Sequence, residues 1–362
     1  MTRAYHNPVS VRFGAGCIQD LPAILNGRTT FLVTFPEARS LGLLDHLQKI
    51  LGDRLLGVED QIEPNPDVQR LKPMYEQFWQ RYSHAQTIIA VGGGSAIDTA
   101  KALMVGTQSG SFDELIGLLA RQSPFKPETC KSLIAVPSTA GTGSEVTPWA
   151  TIWDKQAGKK YSLHLNETWP EVAVIDPEIM LTLPAAVTLQ SGLDALSHAL
   201  ESIWNRNANP ISDTFAVAAA REVIQTLPLL MKDLSNRSLR AAMAIAAVKA
   251  GMAFSNTKTA LAHSISYEMT LRYGLPHGIA CSFTLPLVLQ KAIGIDAERD
   301  RVLSLIFDGP LAEAPHKLKN FLSNLGVQTE FSAYGVSEDS SEAMIRQALD
   351  GVRGKNFLGA GV

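Results

Sequence analysis

In TIIAVGGGSAIDTAKALMV, residues 87–105, an uninterrupted apolar run gives way to three glycines and then to a helical pattern. The run has the character of a strand buried on both faces. Gly92, Gly93 and Gly94 let the backbone turn sharply and approach a ligand, and a helix N-terminus beyond them offers unpaired N–H groups to a phosphate. The spacing is not G-x-G-x-x-G, so the standard dinucleotide fingerprint is absent, and the glycines alone favour a plain tight turn. A second loop shifts that balance. PSTAGTGSEVT (137–147) also follows a buried strand, KSLIAVPST (131–139), and is crowded with small hydroxyl residues and glycine. Two such loops at the carboxyl ends of neighbouring parallel strands are where open α/β sheets bind nucleotides.

The pattern continues on either side. TTFLVT (29–34) reads as a strand and LLDHLQKIL (43–51) as the helix after it. IEPNPD (62–67) is a turn, followed by the helical KPMYEQFWQRY, and YSLHL (161–165) and VAVIDP (172–177) complete the strands. Strand and helix in alternation predict a mainly parallel sheet. After LTLPAAVT (181–188) the texture changes to alanine-rich, helix-periodic segments without convincing strands. The expected organisation is therefore an α/β dinucleotide-binding domain over residues 1–183 and an all-α domain over residues 184–362.

Composition sets the broad class. Of 362 residues, 46% are apolar and 19% charged, which gives ample core, and a net charge of −3 leaves no basic footprint for nucleic acid or an anionic membrane. The opening MTRAYHNPVSVRFG lacks the apolar segment of a signal peptide, and no uncharged apolar run reaches spanning length. Cys17, Cys130 and Cys281 are widely spaced and odd in number, which points to a reducing cytoplasm rather than a disulfide framework.

Four residues carry a metal-ligating pattern. In SGLDALSHALE, Asp194 and His198 stand four apart on a helical segment, so carboxylate and imidazole share one face. His263 lies on another expected helix, and His277 in the turn LPHG. One carboxylate oxygen and three imidazole nitrogens suit Fe²⁺ or Zn²⁺ and are too rich in nitrogen for Mg²⁺ or Ca²⁺.

Taken in order, GGGSAIDTAK, PSTAGTGSE, GLDALSHALE and the pair His263 and His277 resemble the iron-containing (group III) alcohol dehydrogenases over nearly the whole chain. The resemblance implies an N-terminal α/β domain binding NAD or NADP, a helical C-terminal domain of the dehydroquinate synthase-like architecture, and a metal and cofactor held in a cleft. It assigns Asp194, His198, His263 and His277 as ligands of Fe²⁺, with Zn²⁺ as the alternative. Gly92, Gly93, Gly94 and Ser95 would meet the pyrophosphate, and Asp98, Lys101, Ser138, Thr139, Thr142 and Lys160 would lie along the cofactor. It also suggests a homodimer.

Two positions depart from the family pattern. Many members carry a non-ligand histidine four residues after the first ligand histidine of the pair, where this chain has Tyr267; a phenol there either relays a proton or packs beneath the site. After the first strand, many NAD-specific members carry an acid, where this chain has Phe35 in VTFPEARS. Loss of that carboxylate removes repulsion against a 2′-phosphate, which Arg39 would meet, so NADP joins NAD as an expected cofactor.

For substrate, Lys258 lies about one turn before His263 and reads either as a cation for an anionic substrate or as a solvated helix-end lysine. HSISYEMT with YGLPHG is most similar to the phosphonoacetaldehyde reductase branch, which implies reduction of phosphonoacetaldehyde to 2-hydroxyethylphosphonate. Lys258, Arg272, His164 and Asn166 are the candidates for its phosphonate, and Tyr267 and Lys258 the candidates for roles in catalysis. A general short-chain alcohol or diol dehydrogenase and a maleylacetate reductase-like enzyme are the neighbouring readings. A dehydroquinate synthase-like lyase is the reading from another class, and would show no net consumption of cofactor.

Overall fold

The run at 87–92 is a strand with every residue buried in the computed structural model, which describes residues 3–121 and 125–361. The strands before and after it are Ser10–Phe13 (β1), Thr30–Thr34 (β2), Leu55–Glu59 (β3), Thr87–Gly92 (β4) and Ser132–Pro137 (β5). A hairpin of Trp149–Asp154 (β6) and Lys159–His164 (β7) precedes Val172–Ile175 (β8). Six of these form one sheet in the order β1-β8-β5-β4-β2-β3, parallel at every pairing.

Alternating residues of the central strands feed two cores. Val33, Ile88, Ala90 and Leu133 pack with Tyr75, Phe78 and Ile97 on one face. Leu32, Ile89, Val91 and Ile134 pack with Leu21, Leu44 and Leu47 on the other. Burial on both faces explains why these strands read as continuous apolar runs, and each such side chain contributes roughly 1.5–3 kcal/mol. The chain leaves β2 toward the β3 edge and leaves β4 toward β5, so strand order reverses between β2 and β4. Ligands of open α/β sheets bind at the carboxyl ends beside such a reversal.

YSLHL, expected as a further strand of the sheet, instead lies in β7, which pairs antiparallel with β6 outside it. Only Leu163 of β7 is fully buried, while Lys159, Ser162 and His164 are exposed. An antiparallel pair can leave one face to solvent, which suits a strand covered on one face only. β1 and β3 were not expected; both are short and only partly buried, so their apolar signal is weak.

The chain forms two units. One holds residues Pro8–Thr139 and Ser144–Met180, and is the α/β unit. The other holds residues 3–7, Ala140–Gly143 and 181–361, and is helical. The boundary expected at residue 183 compares with a passage at Leu181, and two short segments from the first half of the sequence belong with the helices. In the helical unit, Ala185–Ile203 (α2), Pro210–Leu230 (α3) and Arg237–Thr257 (α4) pack against one another; α1 denotes Gly94–Met104 of the α/β unit. Asn209 caps α3 by accepting from Ile211 and Ser212 N–H, with Pro210 at its first position. Leu261–Tyr273 (α5), His277–Ser282 (α6) and Glu338–Asp350 (α7) complete the elements around the site. No helix among the described residues is long and apolar enough to cross a membrane.

Candidate active site

From Gly192 to Ile203 every residue of α2 is buried, including Asp194, His198 and Glu201. Charged groups in such a helix are costly unless paired or bound to a metal. Asp194 and His198 are one turn apart, and Glu201 continues the same face. Asp194 Oδ1 lies 3.7 Å from His198 Nε2, 3.4 Å from His263 Nε2 and 3.7 Å from His277 Nε2. Three imidazoles from three helices thus face a single carboxylate oxygen.

Glu201 sets the position of α5. Its fully buried carboxylate accepts from the N–H groups of Ala260 at 3.0 Å, Ala262 at 2.5 Å and His263 at 3.3 Å. Those are unpaired groups of the helix start, and Ala260 at the cap position has no side chain to satisfy them. The same carboxylate stands 2.7 Å from His263 Nδ1. That contact places a proton on Nδ1 and turns the lone pair of Nε2 toward Asp194. His198 is held by stacking on Phe254, with ring centroids 4.0 Å apart. His277 opens α6, and the following Gly278 presses on α2 so closely that a Cβ would stand 1.9 Å from Gln190 O. Ser197 Oγ, donating to Cys281 O at 2.9 Å, ties α6 to α2 a second time.

The electrostatics follow from this packing. Burial alone would raise the Asp194 carboxyl, but the three histidines hold it well below the usual range. Burial pulls His198 down to about 4. For His263 burial acts downward and is outweighed by Glu201 and Asp194, so its pKa is raised.

These residues fit a divalent ion. Bonds of about 2.0–2.2 Å in tetrahedral array put neighbouring ligand atoms about 3.3–3.6 Å apart, close to the three distances from Asp194 Oδ1. His263 Nε2 is buried without a hydrogen-bond partner among the described residues, as an atom reserved for a metal would be. His277 is 35% exposed while Asp194, His198 and His263 are nearly closed off, so the cluster opens on one side only. Cys281 complicates the donor set. The donor atoms of Asp194, His263, His277 and Cys281 all lie within 4.8 Å of one another, whereas His198 joins through Asp194. The Cys281 thiol donates to Asp194 Oδ1 at 3.4 Å and to Gly278 O at 3.5 Å, an orientation suited to holding the carboxylate.

The sequence matches two family models in succession. Residues 8–177 match the iron-containing alcohol dehydrogenase model, and residues 188–360 match the C-terminal model of the same family. NAD-dependent methanol dehydrogenase of Bacillus methanolicus is 30% identical over 367 residues, covering 97% of this chain and 94% of that one. The chain belongs to the iron-containing alcohol dehydrogenase family. 1,3-Propanediol dehydrogenase of Citrobacter freundii is also 30% identical, over 90% of this chain and 86% of its own. Among solved structures, sulfoacetaldehyde reductase from Bifidobacterium kashiwanohense in complex with NAD⁺ is similar at a TM-score of 0.90 and 28% identity, covering 98% of this chain and 94% of that one. Membership makes the protein an oxidoreductase of the alcohol and aldehyde class.

Within this family member, the glycine loop lies where expected in the sheet. Gly92 ends β4, and a Cβ there would stand 2.6 Å from the Ala96 Cβ and 3.4 Å from Phe35 Cδ1 beyond β2. Gly93 lies against Thr139, Gly94 begins α1, and Ser138 N–H donates to Gly92 O at 2.9 Å. The backbone at Gly92–Gly94 thus stays uncovered by side chains of its own. Ser95 Oγ accepts from Asn65 N–H at 3.1 Å, tying the loop to the EPNP turn.

Lys101 is fully buried and Asp98 half-buried on α1. Asp98 accepts from Ser144 Oγ at 2.7 Å and Thr151 N–H at 2.9 Å. Lys101 Nζ donates among Ser144 O, Ser144 Oγ, Thr147 O and Trp149 O at 2.6–2.9 Å. Burial lowers its pKa to about 8, opposed by Asp98 and Glu145; the four acceptors favour the ammonium further, and we take Lys101 as charged at neutral pH. Both residues brace the second loop from within. Thr142 belongs to the segment Ala140–Gly143 of the helical unit, and Lys160 lies on β7 opposite Trp153.

Of the substrate candidates, His164 and Asn166 are exposed in the α/β unit, with His164 stacked on Trp149 at 3.7 Å. Arg272 is exposed and paired with Glu268. Lys258 is exposed at the end of α4 with φ 67° and ψ 173°, a backbone region used almost only by glycine. Its carbonyl accepts from Asn205 Nδ2 at 3.1 Å. Tyr267 lies one turn beyond His263 on α5, with the Arg353 guanidinium 5.0 Å from its ring centre. Glu201, Cys281 and Arg353 were not anticipated. Glu201 was within reach of sequence reasoning, as an acid three residues after His198 on an otherwise apolar helix.

Proposed function

We propose that this chain is a metal-dependent, NAD(H)-linked reductase of a small anionic aldehyde, phosphonoacetaldehyde being the leading candidate. In this reading Asp194, His198, His263 and His277 hold one divalent ion, Fe²⁺ by family and Zn²⁺ by the same donor set. The observation that carries the reading is the convergence of three Nε2 atoms on Asp194 Oδ1. When bound, the ion supplies a Lewis acid for a carbonyl oxygen and the nicotinamide supplies hydride to the carbon.

The chain's own residues supply placement. Glu201 fixes the tautomer and angle of His263, and Phe254 fixes the plane of His198. Gly92, Gly93, Gly94 and Ser95 present the start of α1 to a pyrophosphate. Ser138, Thr139, Thr142 and Lys160 remain the proposed further contacts of the cofactor. Tyr267, one turn beyond His263 on α5, is the proposed donor of a proton to the product oxygen.

NADH rather than NADPH is favoured because Arg39 is already engaged. Its guanidinium lies 3.0 Å from Asp60, whose carboxylate would repel a 2′-phosphate. An anionic substrate is supported by two observations. Lys258, exposed at the end of α4, occupies a strained backbone conformation, and strain of this kind collects at functional positions. The similar structure of sulfoacetaldehyde reductase belongs to an enzyme whose aldehyde also carries an acid group. The likeness to methanol and 1,3-propanediol dehydrogenases supports the second reading, a general short-chain alcohol or diol dehydrogenase.

Steady-state turnover of phosphonoacetaldehyde, lactaldehyde and butyraldehyde with NADH and NADPH tests the proposal. It should be run before chelation, after it, and after return of Fe²⁺ or Zn²⁺. The expected result is metal-dependent oxidation of NADH with the phosphonate aldehyde preferred. Equal or better use of the neutral aldehydes would remove the substrate assignment, and full activity after complete metal removal would remove the mechanism.

A further inference from the structure

We propose that the guanidinium of Arg353 receives the anionic group of the aldehyde substrate, beside the metal centre of the helical unit. This rests on the anionic-aldehyde reading above and names the residue that would enforce it.

The backbone of Arg353 is fixed by its surroundings. It follows α7 in a turn folded so tightly that a Cβ on Gly354 would stand 1.9 Å from Ala348 O. Asn356 Nδ2 donates to Thr259 O at 2.9 Å, and Asn356 O accepts from Arg206 N–H at 2.8 Å. Phe357 bridges Asn205, the same residue that holds the carbonyl of Lys258. The turn carrying Arg353 and the strained residue Lys258 are thus pinned to one scaffold.

From that base the side chain reaches α5. It lies over Tyr267, which shares the face of α5 with His263 one turn away. Glu201, the partner of His263 Nδ1, acts on its charge. Arg353 is half-buried, and among the described residues no carboxylate forms an ion pair with it. Glu201 is the acid that acts on it, and that carboxylate is already taken by His263 and three backbone N–H groups. A partly desolvated guanidinium resting on an aromatic face keeps its planar donors free for an oxyanion, and their fork matches phosphonate, sulfonate or carboxylate oxygens. Tyr267 then has a use in any outcome of its proton chemistry, as the platform that orients the cation.

The test compares kcat and KM for phosphonoacetaldehyde and butyraldehyde in the Fe²⁺-loaded wild type, Arg353→Ala and Arg353→Lys, with metal content measured for each. The expected result is a fall of roughly 10- to 100-fold in the anionic-to-neutral ratio of kcat/KM for Arg353→Ala. The loss should lie in KM, with Arg353→Lys intermediate and metal content retained. Equal losses on both aldehydes, or an unchanged ratio, would overturn the role of Arg353 while the anionic-aldehyde reading stands on the wild-type preference. A wild type that does not prefer the anionic aldehyde would sink both. Should Arg353→Ala fail to fold, competitive inhibition by methylphosphonate decides between wild type and Arg353→Lys. Weaker inhibition of the lysine variant is expected, and equal inhibition would overturn the proposal.

Discussion

Glu201 Oε2 stands 2.7 Å from His263 Nδ1, and the same carboxylate closes the N-terminus of α5. One buried acid therefore does two things, starting the helix and aiming the imidazole it carries. Both follow from the shortage of other acceptors at that helix start, where the cap residue is alanine.

Replacement of Glu201 should separate those effects. Glu201→Gln keeps an acceptor for the backbone N–H groups but loses the charge behind His263, and metal affinity should fall about 10- to 100-fold. Glu201→Ala leaves several buried donors unpaired and should also cost about 3 kcal/mol of stability. Metal titration with thermal unfolding of both variants checks this. Unchanged metal affinity in Glu201→Gln would contradict the orienting role.

Gly278 should tolerate no side chain. A Cβ would collide with the Gln190 carbonyl, which is backbone inside α2 and cannot swing away. Gly278→Ala should therefore move His277 off the cluster and destabilise the helical unit by about 1–3 kcal/mol. Metal content and Tm together test it; a variant binding metal as the wild type does would show that α6 adjusts freely.

The first half of the fold was legible because its central strands are buried on both faces, so β2, β4 and β5 appear as plain apolar runs. The metal-ligating set was legible only in part: helical spacing joins Asp194 to His198, but nothing local joins that pair to His263 or His277. The hairpin was misread because YSLHL has strand-like composition without the uninterrupted burial of the sheet. Arg353 could not have been found from spacing. Its relation to Tyr267 spans more than eighty residues and depends on how the last turn folds back on α5.

The pH dependence of stability should carry the mark of Glu145. Burial raises its pKa to about 7, against the lowering effect of Lys101. The folded protein then binds more protons than the unfolded chain between roughly 4.5 and 7, so this group's stabilisation is full below that window and is lost as pH rises through it. Glu145→Gln should unfold at a similar temperature to wild type near pH 4.5 and at a higher one near pH 8.5. A Tm difference that does not change with pH would contradict the assignment.

Cofactor choice should respond to Asp60. Asp60→Asn weakens the hold on Arg39 and removes repulsion at the same time, so the NADPH-to-NADH ratio of kcat/KM should rise by about tenfold or more. Steady-state kinetics with both cofactors would reveal it. No change in the ratio would place Arg39 away from the adenosine ribose.

Anomalous diffraction from metal-loaded crystals, recorded across the iron and zinc absorption edges, examines the convergence of four side chains on one ion without relying on activity. The expected result is a single strong peak about 2.0–2.2 Å from Asp194 Oδ1 and from Nε2 of His198, His263 and His277. A peak bonded to Cys281 Sγ at about 2.3 Å with His198 left out, or no peak at the cluster, would contradict it.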